Sequence, residues 1–340
     1  MQRRAAQLIV IPTLGLSAQD LQPVLQRGVG GVLLLGDSVP TDLAGQVAAA
    51  DALTADRLPL LVMADEEGGG VQRLRPLVSD MPWARTMART LSPQQVQQLA
   101  QTVGRQMRTD GVGVDLGPVL DVDGGAGPDQ RDADGLRSFS ADPTVATRYG
   151  VAFLRGLSSA EVIAVVKHFP GLGGATGNTD QGPAQTLPLA ALRTVGLPPF
   201  QAAVDAGAPA VMVSNAVVPG TDALPAALSR AVIGGLLRQQ LGFHGLVLTD
   251  SLSAGAIIRA GYDVPAAAAL AVGAGADLVL FGSTLTPADT AMLDPVRVES
   301  RVRSIIGAIT ARVATGAITM SELDTADRLV LHAKAVTVCG

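Results

Sequence analysis

The chain has 340 residues, room for one large domain or two ordinary ones, and 48% of them are hydrophobic, ample for a core. Only 3% are aromatic, so Ala, Val and Leu must do the packing, and a net charge of −5 with no basic cluster excludes a non-specific nucleic-acid binder. The lone cysteine, Cys339, leaves no disulfide framework, and no apolar run reaches the ~18 residues of a membrane span.

The N-terminal MQRRAAQLIVIPTLG sets two arginines before an apolar patch too short for a signal-peptide h-region, and reads as a first strand. The chain as given is expected to be cytoplasmic, or secreted or lipid-anchored where a leader precedes it. Short apolar runs then recur: Leu8–Ile11, Gly31–Leu35, Leu58–Ala64, Val112–Leu116, Val162–Val166, Ala210–Val213, Leu246–Thr249 and Ala276–Phe281. Helical stretches separate them. Pro93–Thr109 starts with Ser92 as N-cap and Pro93 at the first helical position. Ser229–Leu241 is capped by Ser229 and ended by Gly242. Strands alternating with helices predict parallel β-structure. Eight such units fit an α/β fold of the closed (β/α)8 TIM type, a single domain over residues 1–340, with a doubly wound open sheet as the alternative. No GxGxxG follows the first strand, and no cofactor is expected.

The most informative stretch is VIAVVKHFPGLGGATGNTDQ, residues 162–181. An apolar run is followed at once by Lys167 and His168, then by a pliable polar loop ending at Asn178, Thr179 and Asp180. The C-terminal ends of parallel strands are where such folds carry chemistry. Other strand ends are also charged. The third run ends in Asp65, Glu66 and Glu67 before three glycines, which reads as a polar cluster with close backbone access or as a glycine-rich turn. The fourth leads through Asp115 and Asp121 into the longest irregular stretch, 121–143. That stretch supplies Arg137, suited to clamp a hydroxylated or anionic ligand or to pair with an acid such as Asp134. Asp250 follows the seventh run directly, which places its carboxylate at the mouth of a barrel, facing the axis. If the barrel closes, Asp65, Arg73, Arg137, Lys167, His168 and Asp250 ring one mouth. Acids and bases around a nucleophilic carboxylate describe a sugar site, so the expected partner is a carbohydrate. The three histidines are far apart, and no metal is expected.

Several ordered motifs carry a resemblance. ADEEGGGVQR (64–73) is similar to DQEGGRVQR, DLGPVLDV (115–122) to NFAPVLDV, LRSFSADP (136–143) to DRSFSSDP, LPAALS (224–229) to PASLS and GFHGLVLTDSLSAGAI (242–257) to GFDGVVISDDLSMGAI, while KHFPG (167–171) matches outright. The chain resembles glycoside hydrolase family 3 in its single-domain β-N-acetylglucosaminidase form, from about Ala5 to about Phe281. The resemblance implies a retaining glycosidase in which Asp250 is the nucleophile of a glycosyl-enzyme intermediate. It also implies that Asp65, Arg73, Arg137, Lys167 and His168 hold the sugar hydroxyls. The departures fall on the acid/base loop. Leu172 replaces the histidine of PGHG, the family's Asp-Ser-His trio becomes Asp180, Gln181 and Gly182, and no histidine occurs between His168 and His244. Gly70 stands where Arg is common, Asn215 where His is common, Ser251 where the family has a second Asp, and Ala254 where it has Met. Asp180 is the titratable residue left in the mobile loop, and is either the substitute acid/base or a turn-capping Asp. A weakened sugar-binding or regulatory protein on the same scaffold, and phosphorolysis, are the other readings.

Overall fold

A computed structural model describes residues 1–36 and 39–335; Cys339 lies outside the described residues. Its frame is a ring of eight parallel strands: β1 (Ile9–Thr13), β2 (Gly31–Leu34), β3 (Leu61–Ala64), β4 (Val114–Asp115), β5 (Ile163–Phe169), β6 (Ala210–Val213), β7 (Leu246–Thr249) and β8 (Val279–Leu280). Each pairs with the next in sequence, and β8 pairs with β1 through Ile9↔Val279 and Val10↔Leu280. The last gap closes between β7 and β8. A parallel bridge joins Leu248 to Leu278, and the Thr249 N–H donates to the Leu278 carbonyl at 3.0 Å. The expected (β/α)8 barrel therefore forms.

The strands close this way because they are apolar on both faces, as parallel strands under helices must be. Every residue of β1, β2, β3, β6 and β7 is buried. Alternate side chains, among them Met63, Val165 and Leu248, meet on the barrel axis and fill its floor. The helix Pro93–Thr109 forms as expected. Ser92 Oγ accepts from the Gln95 N–H and the Gln95 side chain accepts from the Ser92 N–H, a reciprocal cap. The stretch 229–241 forms over Ala231–Gln240 with the wider i→i+5 winding. Ser229 Oγ accepts from the Val232 N–H at its start, and Gly242 leaves it in the left-handed region.

Three features differ from the sequence reading. A helix, Gln2–Gln7, precedes β1, exposing Arg3 and Arg4 and burying Ala5 and Ala6. β5 runs on to Phe169, so Lys167 and His168 lie inside the strand instead of after it. Its register against β6 shifts between Val166 and Phe169, a bulge of the kind that re-aims adjacent side chains. Finally, the residues after β3 form a small antiparallel hairpin, Glu66–Gly68 with Val71–Gln72. The open side of its glycines is taken by Trp83. A Cβ at Gly69 would stand 2.0 Å from the indole, so the close approach that this turn permits is to a ring of the protein itself. Among the described residues no helix is long and apolar enough to cross a membrane.

Candidate active site

The C-terminal ends of the strands open into one pocket of about 750 Å³. Asp65, Arg73, Arg137, Lys167, His168, Asp180 and Asp250 all line it, so the seven residues singled out from the sequence come together. They arrive on separate elements: Asp65 from the end of β3, Arg73 beyond the hairpin, Arg137 from the long 121–143 loop, Lys167 and His168 from β5, Asp180 from the loop after β5, and Asp250 from the end of β7. A separate cleft of about 540 Å³ between Thr13 and Pro295 carries Asp20 and Asp294 and, among the described residues, no basic side chain.

The floor of the pocket is an ion network. Lys167 Nζ, with a side chain only 2% exposed, lies 2.6 Å from both Asp65 Oδ1 and Glu67 Oε1. Arg137 grips Glu67 with two parallel bonds of 2.8 Å, from Nε and Nη2, and turns Nη1 to the Ala133 carbonyl. Burial alone would push the Glu67 carboxyl up, but the Arg137 and Lys167 cations overcome it and hold Glu67 far below the usual carboxylate range. Burial likewise works against the Lys167 ammonium, and Asp65 and Glu67 more than offset it. The sequence reading placed Glu67 in a polar cluster but gave it no role. It is the hub that orients both cations, a function visible only once the 121–143 loop folds back over the hairpin.

A second network stands behind His168. Its Nδ1 lies 2.7 Å from Asp121 Oδ2, which also accepts the His168 backbone N–H, while Asp121 Oδ1 accepts the Leu172 N–H. Burial lowers the imidazole to about 4, helped by the Arg137 charge, so at neutral pH the ring is uncharged. With Nδ1–H donated to Asp121, Nε2 is left as an acceptor. Burial pushes Asp121 up to about 7, against the opposing N–H donors from Leu172 and His168. Asp134, fully enclosed beside it, is raised well above the ordinary value, first by burial and then by the Asp121 charge. Three N–H donors favour an ionised Asp121, so the proton of the pair resides on Asp134. Asp121, Asp134 and His168 each bring one polar atom within 4.8 Å of the others. The cluster holds one histidine with two acids that the chain keeps apart and the fold gathers.

Two carboxylates of the pocket, Asp180 and Asp250, act on each other electrostatically. Asp250 Oδ1 accepts the Ser251 N–H at 2.6 Å. Burial raises its pKa against the pull of His168; the negative charge of Asp180 raises it further, and the Ser251 N–H and Lys167 oppose it less. Asp180 is raised by the protein atoms crowding it, although it keeps an exposed face toward the pocket mouth, where water weakens that push. Below these groups Asp115 accepts the Glu66 N–H and Glu66 accepts the Leu74 N–H, bracing the hairpin that carries Glu67.

A parallel barrel whose C-terminal mouth sets two carboxyl groups over a cradle of buried cations and acids is the frame of a sugar-cleaving site. Comparison with known proteins agrees. Residues 1–333 match the description "Glycosyl hydrolase family 3 N terminal domain". Over 289 residues the chain is 40% identical to a beta-hexosaminidase, LpqI, of Mycobacterium tuberculosis, covering 83% of this chain and 73% of that protein. It is 35% identical to a beta-hexosaminidase of Stenotrophomonas maltophilia, covering 80% and 82%. Two solved structures superpose closely: M. tuberculosis LpqI, with a TM-score of 0.86 at 35% identity over 99% and 94% of the two chains, and a beta-N-acetylhexosaminidase of Beutenbergia cavernae, with 0.84 at 33% over 98% of each. The chain belongs to glycosyl hydrolase family 3.

Proposed function

We propose that the chain is a retaining β-N-acetylhexosaminidase in which Asp250 is the nucleophile and Asp180 the proton donor. The observation that carries this reading is that Asp180 and Asp250 line one pocket, near enough for the Asp180 charge to act on Asp250, together with the Lys167–Glu67–Arg137 network. In the first step Asp250 bonds to the anomeric carbon while Asp180 gives its proton to the departing glycosidic oxygen. In the second, Asp180 takes a proton from water as that water displaces Asp250, and the starting configuration is restored. Asp65, Arg73, Arg137, Lys167 and the Nε2 of His168 supply the hydroxyl contacts. Lys167 and Arg137, already fixed by Glu67, need no reordering when substrate binds. The sugar class rests on the likeness to beta-hexosaminidases.

The test is hydrolysis of aryl N-acetyl-β-glucosaminides by wild type, D250A and D180A. D250A loses turnover on every substrate. D180A loses about 10²–10⁴ on poor leaving groups, the usual share of general acid catalysis, and far less on good ones. Failure of the wild type to cleave any aryl sugar, or survival of activity in D250A, overturns the reading.

A further inference from the structure

The Asp180 loop is seated on the segment that follows the nucleophile. The Gly255 N–H donates to the Asp180 carbonyl at 3.0 Å, and the Ala256 N–H to the Thr179 carbonyl at 2.9 Å. At its other end Asn178 Nδ2 donates to the Asp129 carbonyl at 2.8 Å, tying the loop to the 121–143 stretch. The first contact depends on an absent side chain. A Cβ at Gly255 would lie 2.7 Å from the Gln181 carbonyl carbon and 2.8 Å from both the Asp180 and the Gln181 carbonyl oxygens, all backbone of the loop. Gly255 opens the short helix Gly255–Arg259 and its φ lies outside the left-handed region, so alanine suits its own backbone. What alanine does not suit is the loop, which must retreat by several tenths of an ångström or more.

We propose that Gly255 is a positioning residue for proton donation: its bare backbone latches the Asp180 loop onto the Asp250 strand end and so sets the distance between the two carboxyl groups. The inference rests on the assignment of Asp180 as donor. It gives the loop a defined seat on the segment after β7, two strands round the barrel from its own β5, and explains why a short helix begins with glycine where no turn requires one. A displacement of order 1 Å at a reacting group costs about 10²-fold in rate. That loss falls only on the step the donor assists.

The experiment compares kcat/KM for phenyl and 2,4-dinitrophenyl N-acetyl-β-glucosaminides in wild type, G255A and D180N, with circular dichroism and thermal melting to show that each variant is folded. The dinitrophenolate leaves without a proton; the phenolate needs one. The latch predicts that G255A loses about 10²-fold on the phenyl substrate and stays within about threefold on the dinitrophenyl one. Equal losses on both substrates, or no loss on either, overturn it. D180N reports separately on the underlying assignment. If D180N discriminates between the substrates and G255A does not, the latch alone is wrong. If D180N does not discriminate, the donor assignment fails and the latch with it. Should G255A melt below the assay temperature, N178A carries the same test from the loop's other end, with the same discrimination expected and its absence equally damaging.

Discussion

Replacing Glu67 by Gln probes the ion network directly. Glu67 is almost fully buried, with a side chain 3% exposed, and accepts from Arg137 twice and from Lys167 once. Glutamine keeps the shape but removes the charge, and turns an amide NH2 toward side chains that only donate. Breaking a buried pair from one side costs about 3–5 kcal/mol, because the partner charges stay buried. Unfolding entropy near the midpoint is about 2.1 cal/mol/K per residue, so for 340 residues the melting slope is about 0.7 kcal/mol per degree. The expected fall in Tm at pH 7 is therefore about 4–7 °C, read by calorimetry or circular dichroism. The sign of the pH dependence follows from the depressed pKa of the folded carboxyl. Its contribution is fully present above the ordinary value of 4.5 and is lost as pH falls toward the folded value. The gap between wild type and E67Q should thus narrow progressively below pH 4.5. A variant melting within about 1 °C of wild type at pH 7, or a gap unchanged on acidification, would refute the network as an electrostatic structure.

Two further outcomes follow from the carboxyl groups. Because Asp180 is raised above 3.8 and the proposed donor must be protonated, kcat/KM on a phenyl glycoside should fall on the alkaline side through the pKa of Asp180, and D180N should lack that limb; its persistence at the same pH would point to another donor. Asp134 is raised well above 3.8, so the unfolded chain releases that proton first and wild type loses stability as pH climbs from 3.8 to the folded value. D134N should escape this loss, by about 2 °C for each pH unit crossed, in Tm recorded from pH 4 to pH 8.

What the sequence made legible was whatever depends on local pattern. The apolar runs gave the order of all eight strands, and Ser92 with Pro93 gave the first residue of its helix. The charges at the strand ends pointed to the mouth because a parallel barrel has one chemical rim. The misses came where distant segments decide. Lys167 and His168 looked like post-strand residues because a lone lysine is not expected inside a buried strand; Asp65 and Glu67, about a hundred residues earlier, make it tolerable. Glu67 had no visible role because Arg137 reaches it only from the folded 121–143 loop. The glycines at 68–70 suggested close backbone access or a turn, and nothing local announced that Trp83 would pack against them. Asp134 and Asp121 became partners of His168 only through the same loop.

The bridge between Leu248 and Leu278 closes the ring at the strand that delivers Asp250. The two carboxyl groups and their cradle thus span both halves of the chain, from Asp65 to Asp250, and no single strand–helix unit contains them all. A refolding chain would regain helical signal from neighbours such as Pro93–Thr109 and Pro143–Ser158 well before it regained turnover. Hydrolysis of a chromogenic glycoside is, in that sense, a readout of the final stave locking into place.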